Sequence, residues 1–404
     1  MAQRFRIAGW GLAAAACTAA IAASSCSDSQ NPTEVAAAAA HRAGDAAFTK
    51  MPPIRHVFVV LLENEDATVT YGPNSPAHFL NDTLVKKGAF VSQYFATSHA
   101  SLGNYTSLIS GQPTDSAFDA DCDFRTNFVQ TGSAPLGLAV GQGCVYPTRI
   151  KTVVNQLEDK HLRWKAYMED MGNDPDREGD RCGRVPIGTK DITNDAEPGD
   201  MYAARHDPFV WFHSITNFAS CNNVVPLSEM QADLSSEATT PNFVFISPNV
   251  CHDGHDQPCV DGEPGGLVSA DQWLHDWIPV ILNSEAFKED GLLFITTDES
   301  EGVGPNGVEN ATACCNEQPG PNIAMAGGNG PGGGRVAGVA ISRFIKPGMV
   351  SSVPYNHYSM LKTVEQIFGL PFLGFAGQSG LSSWAGDIFS DAGNVNHVPD
   401  HDGD

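Results

Sequence analysis

Three long apolar runs along the chain predict buried strands of a parallel sheet. They are rich in β-branched and aromatic residues and span residues 54–62, 242–247 and 291–297. Strands that are covered on both faces read as unbroken apolar runs, whereas half-exposed strands alternate between apolar and polar residues. Further strands are predicted at residues 90–95, 161–169 and 335–342.

Segments with apolar residues at helical spacing alternate with these strands. In residues 271–288, Trp273, Trp277, Ile278 and Ile281 recur on one face, which predicts a helix packed on a core. Other helices are predicted over residues 76–87, 105–110, 150–158 and 357–368. Helices that alternate with buried strands are typical of an α/β fold with a mostly parallel sheet.

Two long stretches interrupt this alternation. Residues 113–147 and 170–200 are rich in Gly, Pro and Asp, and we expect them to form irregular loops around the rim of a pocket. The glycine-rich run at residues 326–334 lacks the strand–GxGxxG–helix order of a dinucleotide site, and we interpret it as a loop.

Each of the three buried strands ends abruptly in polar residues. Glu63 and Asn64 follow the first strand, residues 252–256 (HDGHD) follow the second, and Asp298 and Glu299 follow the third. Open α/β sheets place their sites at the carboxyl ends of strands. Carboxylates brought together there repel one another unless a cation neutralises them, and oxygen ligands favour a hard or borderline divalent ion.

A fourth polar cluster, TSHASLGNYTSLISGQ at residues 97–112, places Ser101 just before a predicted helix. The start of a helix exposes backbone N–H groups that stabilise a phosphate. A serine hydroxyl there becomes a nucleophile when a base or a metal lowers its pKa. Alone, the cluster is better explained as an ordinary serine N-cap; with the strand-end carboxylates it predicts metal-assisted phosphoryl transfer to Ser101. His99 is either a base for this serine or a residue that caps the loop.

The charge balance limits the partners of the protein. Lys and Arg number 23 against 47 Asp and Glu, which gives a formal net charge of −24. Such a surface repels nucleic acid and anionic membranes, so we expect no nucleic-acid partner. A phosphate-binding site in this chain needs local positive charge, which metal ions or helix N-termini supply.

The N-terminal residues are typical of an export signal. A positively charged start precedes the apolar residues 8–23, which are too few and too Ala-rich for a good membrane span. Cys26 resembles a lipoprotein cleavage site with Ala23 where leucine is usual, and simple cleavage after Ser24 or Ser25 fits nearly as well. We therefore expect an exported protein that is periplasmic, secreted or an outer-membrane lipoprotein. The expected organisation is a signal peptide at 1–26, a tether at 27–50, a catalytic domain at 51–375 and an extension with an acidic tail at 376–404.

The cysteines agree with an oxidising compartment. Of ten cysteines, Cys17 and Cys26 fall in the export signal, and the remaining even number predicts disulfides. Loop length favours the pairs Cys122–Cys144 and Cys251–Cys259.

Six motifs occur in order between residues 54 and 373. They are HVFVVLLEN (56–64), HASLGNY (99–105), ARHDPF (204–209), ISPNVCHDGHD (246–256), LFITTDES (293–300) and NHYSMLKTVEQIFGLP (356–371). Together they resemble the bacterial and fungal phosphoesterase family that contains acid phosphatases and phosphatidylcholine-type phospholipases C. The resemblance implies an alkaline phosphatase-like α/β fold and hydrolysis of phosphate esters.

The resemblance implies a metal site and a nucleophile. Glu63 and Asn64 match the family's first pair of metal ligands, and Asp298 and Glu299 match the second. Ser101 matches the nucleophile, which also touches the metal. The cofactor is therefore expected to be a divalent metal ion; all-oxygen ligation favours Ca, Mg or Mn, with Zn and Fe left open.

Further matching residues are implied to line the phosphate. Asn104 matches a residue that hydrogen-bonds a phosphoryl oxygen, and His206, Asp253 and His255 match positions in the phosphate pocket. His357 lies in a matching motif without an assigned role.

The sequence thus predicts an exported phosphoesterase with a phosphoseryl intermediate at Ser101. A phosphomonoesterase of the acid-phosphatase type is favoured over a phospholipase C, because the negative surface disfavours anionic membranes, although a zwitterionic lipid is tolerated. Contact with a membrane is expected only through an N-terminal lipid anchor. The alternative from another class is a non-catalytic surface lipoprotein on the same fold.

Overall fold

The computed structural model describes residues 51–178, 182–301, 310–322 and 332–390. The predicted signal peptide, the tether and the acidic tail lie outside these residues, as does most of the glycine-rich run. Among the described residues, no helix is both long enough and apolar enough to cross a lipid bilayer.

An eight-stranded sheet forms the centre of the protein, with two small two-stranded sheets beside it. The strands of the described residues are β1 His56–Leu62, β2 Ala89–Val91, β3 Tyr94–Phe95, β4 Val129–Ser133, β5 Ala139–Gln142, β6 Trp164–Met168, β7 Val224–Pro226, β8 Phe243–Ser247, β9 Gly291–Thr297, β10 Gly338–Ser342, β11 Met349–Ser351 and β12 Tyr355–Asn356.

The order in the large sheet is β11-β2-β10-β9-β1-β8-β6-β7. Strand β10 runs antiparallel to β2 and β9, and every other pairing in the sheet is parallel. At the centre, Val59 of β1 lies opposite Phe245 of β8 and Phe294 of β9. The predicted α/β fold with a mostly parallel sheet is therefore confirmed.

Helices connect and cover the strands. The α-helices of the described residues are α1 Ala67–Thr70, α2 Val85–Lys87, α3 Ser101–Ser110, α4 Val153–Asp159, α5 Pro175–Glu178, α6 His213–Thr216, α7 Met230–Asp233, α8 Gly266–Asn283, α9 Glu285–Asp290 and α10 His357–Phe368. A π-helical turn, Leu80–Leu84, leads into α2. Short 3₁₀ helices lie at Phe118–Ala120, Pro135–Gly137, Ile192–Asn194, Ala204–His206, Pro208–Trp211, Ala219–Asn223, Leu227–Glu229 and Gly374–Gly377.

The core lies on both faces of the central sheet, which explains the unbroken apolar run of β1. Val57, Val59 and Leu61 pack into one buried cluster, together with apolar residues of α3, α4 and α10. Phe58 and Val60 point to the other face and pack into a second cluster with residues of α8. Alternate side chains of a strand point to opposite faces, so a strand between two helical layers is apolar at every position.

Several predicted elements differ from the observed ones. The single helix predicted at 271–288 is two helices, α8 and α9, because Ser284 ends the first and caps the second by accepting from the Phe287 N–H. The strand predicted at 90–95 is split into β2 and β3. The helix predicted from Tyr105 begins four residues earlier, at Ser101.

Several small strands, including the two-residue β12, escaped the pattern of the sequence. The antiparallel pair β4–β5 lies within residues 113–147, which we had assigned to loops, and β4 is almost wholly exposed. Strands β7 and β11 have three residues each. Runs this short or this exposed carry no apolar periodicity by which a strand is recognised.

The residues beyond 375 contribute to the core. Trp384 and Phe389 are buried, and the Trp384 ring packs edge-on against Phe294 of β9 at 4.8 Å. The predicted domain boundary at residue 375 stays a prediction.

Four disulfides join the eight cysteines of the described residues. The predicted pairs Cys122–Cys144 and Cys251–Cys259 are confirmed. The other two bridges are Cys182–Cys221 and Cys314–Cys315.

Candidate active site

The ends of the three central strands bring the predicted polar clusters together. The backbone N–H of Asp298, just after β9, donates to Leu62 O at 2.9 Å. The N–H of Glu63, just after β1, donates to Asp253 O at 2.9 Å. Because β8, β1 and β9 are neighbours in one parallel arrangement, the residues that follow them meet at one edge of the sheet.

Ser101 is the first residue of α3 and is only 4% exposed. Its Oγ donates to Glu63 Oε2 at 2.9 Å. The residue before it, Ala100, has a positive φ of 73°. This backbone region typically costs a non-glycine residue roughly 1–3 kcal/mol, and strain of this kind is common at functional sites. The serine thus lies at the helix start, as predicted, with its hydroxyl directed at a predicted metal ligand.

Glu299 holds the loop that precedes this serine. Its Oε2 accepts from the Ala100 N–H at 3.1 Å and lies 2.7 Å from His99 Nδ1. The other ring nitrogen of His99 lies 3.2 Å from Asn310 O. Of the two roles left open for His99, these contacts favour positioning of the loop.

Asn104 organises the same loop from inside the helix. Its Oδ1 accepts from the N–H groups of Thr97 and Ser98 at 2.9 and 3.0 Å, and its Nδ2 donates to Ser98 O at 2.8 Å. Asn104 is completely buried. The side-chain amide of Asn104 therefore forms its hydrogen bonds with the protein backbone. The implied contact with a phosphoryl oxygen stays a prediction.

His206 lies between two carboxylates. Its Nε2 is 3.1 Å from Glu63 Oε1, and its Nδ1 is 3.0 Å from Asp253 Oδ2. The imidazole stacks on the ring of Tyr105 from α3, with centroids 5.1 Å apart. All four polar atoms are buried and, among the described residues, have no partner with hydrogen-bonding geometry. Nitrogen and oxygen atoms that lie this close without hydrogen-bonding geometry are suited to bind one ion together.

The residues present fit a divalent cation. Ligand atoms of Glu63, His206 and Asp253 lie within 4.8 Å of one another. Asn64 Oδ1 and Asp298 Oδ2 are also buried without a hydrogen-bond partner among the described residues. An unsatisfied buried acceptor costs about 1–3 kcal/mol, so several such atoms are a suitable donor set for a cation. Four oxygen donors and one imidazole are a suitable set for a hard or borderline ion.

The candidate donor set overlaps with the predicted metal ligands, whose role stays a prediction. Glu63 and Ser101 are in contact, and Asn64 and Asp298 offer unpaired oxygens, as a metal role requires. In contrast, one oxygen of Glu299 is already bound to the loop of the nucleophile. His206 and Asp253, which the resemblance assigns to the phosphate pocket, lie where they also serve as metal ligands.

Burial controls the protonation of this cluster. It raises the pKa of Glu63 to about 7 and holds the pKa of Asp253 and Asp298 well above the usual value, with repulsion from Glu63 adding to both. Burial also holds the pKa of His206 well below its usual value. A bound cation lowers the pKa of these carboxyls, because it stabilises their ionised form.

Two charged residues of the site were missed by the sequence reasoning. Arg205 is buried, donates through Nη1 to Asn194 O and Oδ1 at 3.2 and 3.1 Å, and lowers the pKa of the nearby Glu63 and Asp253 carboxyls. Asp121 Oδ1 accepts from the Leu102 N–H at 3.0 Å, at the start of α3. Arg205 stands in the quoted ARHDPF motif, but nothing in the sequence links Asp121 to the helix.

The two remaining predicted residues lie at opposite depths. His255 is exposed; its backbone N–H donates to Asp253 Oδ1 at 2.9 Å, and its ring lies 6.2 Å from that of His206. Asp256 raises the pKa of His255 through a contact at 2.8 Å. His357 is fully buried, and its Nε2 lies 2.6 Å from Asp298 O. His357 therefore supports the backbone of Asp298.

Known proteins share parts of this sequence. The chain is 25% identical to a phosphate-repressible acid phosphatase of Penicillium chrysogenum over 292 residues. The aligned region covers 72% of this chain and 54% of the fungal protein. It is 24% identical over 352 residues to a probable acid phosphatase of Kluyveromyces lactis, covering 87% and 67%. A phosphatidylinositol-3-phosphatase of Mycobacterium tuberculosis is 23% identical over 330 residues and matches 82% of both chains.

Solved structures give weaker likenesses. A protein of the alkaline phosphatase superfamily from Vibrio parahaemolyticus aligns with a TM-score of 0.43 at 12% identity, covering 80% of this chain and 68% of that one. A lipoteichoic acid synthase from Listeria monocytogenes aligns with a TM-score of 0.41 at 13% identity, covering 83% and 75%. A model of the Phosphoesterase family matches residues 62–371. Since this match extends over most of the chain, the protein belongs to the Phosphoesterase family.

Proposed function

We propose that the protein is an acid-phosphatase-type phosphoesterase that hydrolyses phosphate monoesters through a phosphoseryl intermediate at Ser101. The observation that carries the proposal is the contact at 2.9 Å between Ser101 Oγ, at the start of α3, and Glu63, whose other carboxylate oxygen belongs to the unpaired donor set. The names of the fungal relatives support the same reaction class.

The proposed reaction has two displacements at phosphorus. In the first, the Ser101 oxygen bonds to phosphorus, the bond from phosphorus to the ester oxygen breaks, and the leaving alcohol takes up a proton. In the second, the oxygen of a water molecule bonds to phosphorus, the bond from phosphorus to the Ser101 oxygen breaks, and that oxygen takes up a proton from the water as inorganic phosphate is released. Both steps need an oriented serine and compensation of phosphoryl charge.

The residues of the chain divide these tasks. Glu63 orients the Ser101 hydroxyl by accepting its hydrogen bond. Asn104 and Glu299 fix the loop before the serine by binding its backbone N–H groups. Arg205 places a positive charge close to the acidic cluster, where it offsets repulsion of an anionic substrate.

A divalent cation is part of the proposal. Glu63, Asn64, Asp253, Asp298 and His206 would hold it. Such an ion lowers the pKa of a serine hydroxyl and attracts phosphoryl oxygens. Its identity stays open.

Export is also proposed. Four disulfides among the described residues support folding in an oxidising compartment, because cytosolic thiols are normally kept reduced.

The test is a substrate panel on purified protein, with a chromogenic phosphomonoester, a phosphodiester and a choline phospholipid. We expect the monoester to be hydrolysed with the highest kcat/KM, and Ser101→Ala to lose several orders of magnitude in kcat. Ser110→Ala, at the other end of the same helix, is the matched control and should keep its activity. Preference for the phospholipid would favour a phospholipase C, and no hydrolysis of any member would favour the non-catalytic alternative.

A further inference from the structure

A cavity lies where residues 184–187 and 213–217 meet Arg125. Its volume is about 580 Å³. It is lined by Arg125, Arg184, Val185, Pro186, Ile187, His213, Thr216 and Asn217. Although the protein has a net charge of −24, these lining residues include two arginines and a histidine and no carboxylate. A pocket whose charge opposes that of the whole protein is a candidate site for an anion.

Arg125 forms the buried base of this cavity. It is only 1% exposed, and its guanidinium packs on the Trp211 ring at 4.7 Å from the centroid. Its Nη2 donates to Val210 O, whereas Nε and Nη1 are buried without a hydrogen-bond partner among the described residues. Buried guanidinium groups normally make their full set of hydrogen bonds, so these two donors are unusual.

Arg184 adds to the positive field, whereas burial and the neighbouring Arg125 lower the pKa of His213 and favour its neutral form. Arg184 Nη1 donates to Thr216 O at 3.3 Å, and His213 Nδ1 lies 3.3 Å from Thr216 Oγ1. Burial and the neighbouring Arg184 hold the pKa of Arg125 at about 10, whereas Asp191 and Asp207 act on it in the opposite sense. These two carboxylates are not among the residues that line the cavity, and their oxygens accept from the backbone of Thr193 and Phe209.

Apolar side chains accompany the charged base. Ile187 lines the cavity and is 44% exposed. Phe124 and Phe218, the chain neighbours of Arg125 and Asn217, are each 54% exposed. Large exposed apolar residues close to a charged pocket favour a ligand that carries both kinds of surface.

The walls are held by disulfides. Arg125 follows Cys122, which is bridged to Cys144, and Arg184 follows Cys182 by two residues. The partner of Cys182 is Cys221, four residues after Asn217. The backbone pairs Arg125 N to Thr189 O and Gly188 N to Arg125 O join two of the walls at 2.9 and 2.8 Å. The cavity is therefore preorganised for binding.

We propose that this cavity binds a small organic anion, with its carboxylate or phosphate directed at the positive charge of Arg184 and Arg125, and its apolar part on Ile187. The residues that line this cavity are not among those of the candidate active site, and the inference does not depend on the proposed function.

Octanoate is a suitable probe, because it carries one carboxylate and an apolar tail. Binding is measured by titration calorimetry on the full protein, with hexanol as a neutral probe and inorganic phosphate as a charged probe without a tail. We expect saturable binding of octanoate, weaker binding of phosphate and none of hexanol. Removing one cation by Arg184→Ala should weaken octanoate binding by at least about tenfold, the effect of losing roughly 1.4 kcal/mol.

Two further variants control for misfolding and for nonspecific effects of charge. Ile187→Asp changes an exposed residue of the rim and should also weaken binding, whereas Arg343→Ala removes a partly exposed cation elsewhere and should not. Octanoate should not compete with a phosphomonoester substrate. The proposal is overturned if octanoate does not bind, if Arg184→Ala and Arg343→Ala bind alike, or if octanoate inhibits hydrolysis competitively and Arg184→Ala leaves that inhibition unchanged.

Discussion

Glu63 is predicted to oppose stability while it supports activity, and Glu63→Gln separates the two effects. The carboxylate accepts the Ser101 hydroxyl at 2.9 Å and is wholly buried beside Asp253 and Asp298. The substitution keeps the shape of the side chain but removes its charge. The perturbed terms are therefore the hydrogen bond to the serine, the binding of a cation and the repulsion among the carboxylates.

The hydrogen-bond term has a magnitude, and the other two terms have a direction. A hydrogen bond to a charged group contributes about 1.5–3 kcal/mol, so loss of serine orientation alone should lower kcat by roughly 10–200-fold. Loss of a cation ligand adds to this decrease. In chelator-treated protein above about pH 7, where the Glu63 carboxyl is ionised, Glu63→Gln should have an equal or higher melting temperature than the wild type, because one buried charge has been removed.

The assay is kcat for a chromogenic phosphomonoester, measured together with melting curves with and without a divalent ion. Added ion should raise the melting temperature of the wild type and have much less effect on Glu63→Gln. Glu365→Gln, which removes a buried carboxyl elsewhere, is the matched control and should keep full activity. Activity within threefold of wild type in Glu63→Gln would refute the reasoning.

Three further predictions concern the metal, the disulfides and pH. Strong chelation should abolish activity and a divalent ion should restore it, with Asp298→Ala mimicking chelation; full activity in protein shown to be metal-free would contradict this. Thiol titration of denatured, unreduced protein should find few free thiols at the eight paired cysteines, because four bridges join them; finding all eight free would reject the pairing. Burial raises the pKa of Glu365 from 4.5 to about 8, so between these values the folded state holds a proton that the unfolded state has lost. Stability should therefore fall as pH rises through this range, by at most about 1.4 kcal/mol per unit, and Glu365→Gln should flatten the dependence seen in melting curves.

The elements predicted best were those whose environment is uniform along their length. β9 and α10 have the predicted bounds, since β9 is buried on both faces and α10 begins at the Asn356 cap and ends at Gly369. The convergence of the strand-end carboxylates was also predicted, because neighbouring parallel strands end at one edge of the sheet.

The partners of individual side chains could not be predicted, because they depend on contacts between distant segments. Glu299 was expected on a metal, but one of its oxygens holds Ala100, 199 residues away in the chain. His206 was expected in the phosphate pocket, but its ring stacks on Tyr105 and reaches two carboxylates. The cap that Asp121 provides for α3 depends on the fold of a loop without periodicity.

The central claim is a covalent phosphoseryl intermediate at Ser101, and the most direct measurement is to trap it. The enzyme is mixed with a phosphomonoester, quenched in acid within the first turnovers, and digested for mass spectrometry of the peptide that contains Ser101. The proposed function predicts a phosphate adduct on Ser101 that forms before product release reaches its steady rate and is absent without substrate. Full turnover with no adduct at Ser101 at any quench time, together with normal activity of a folded Ser101→Ala protein, would contradict it.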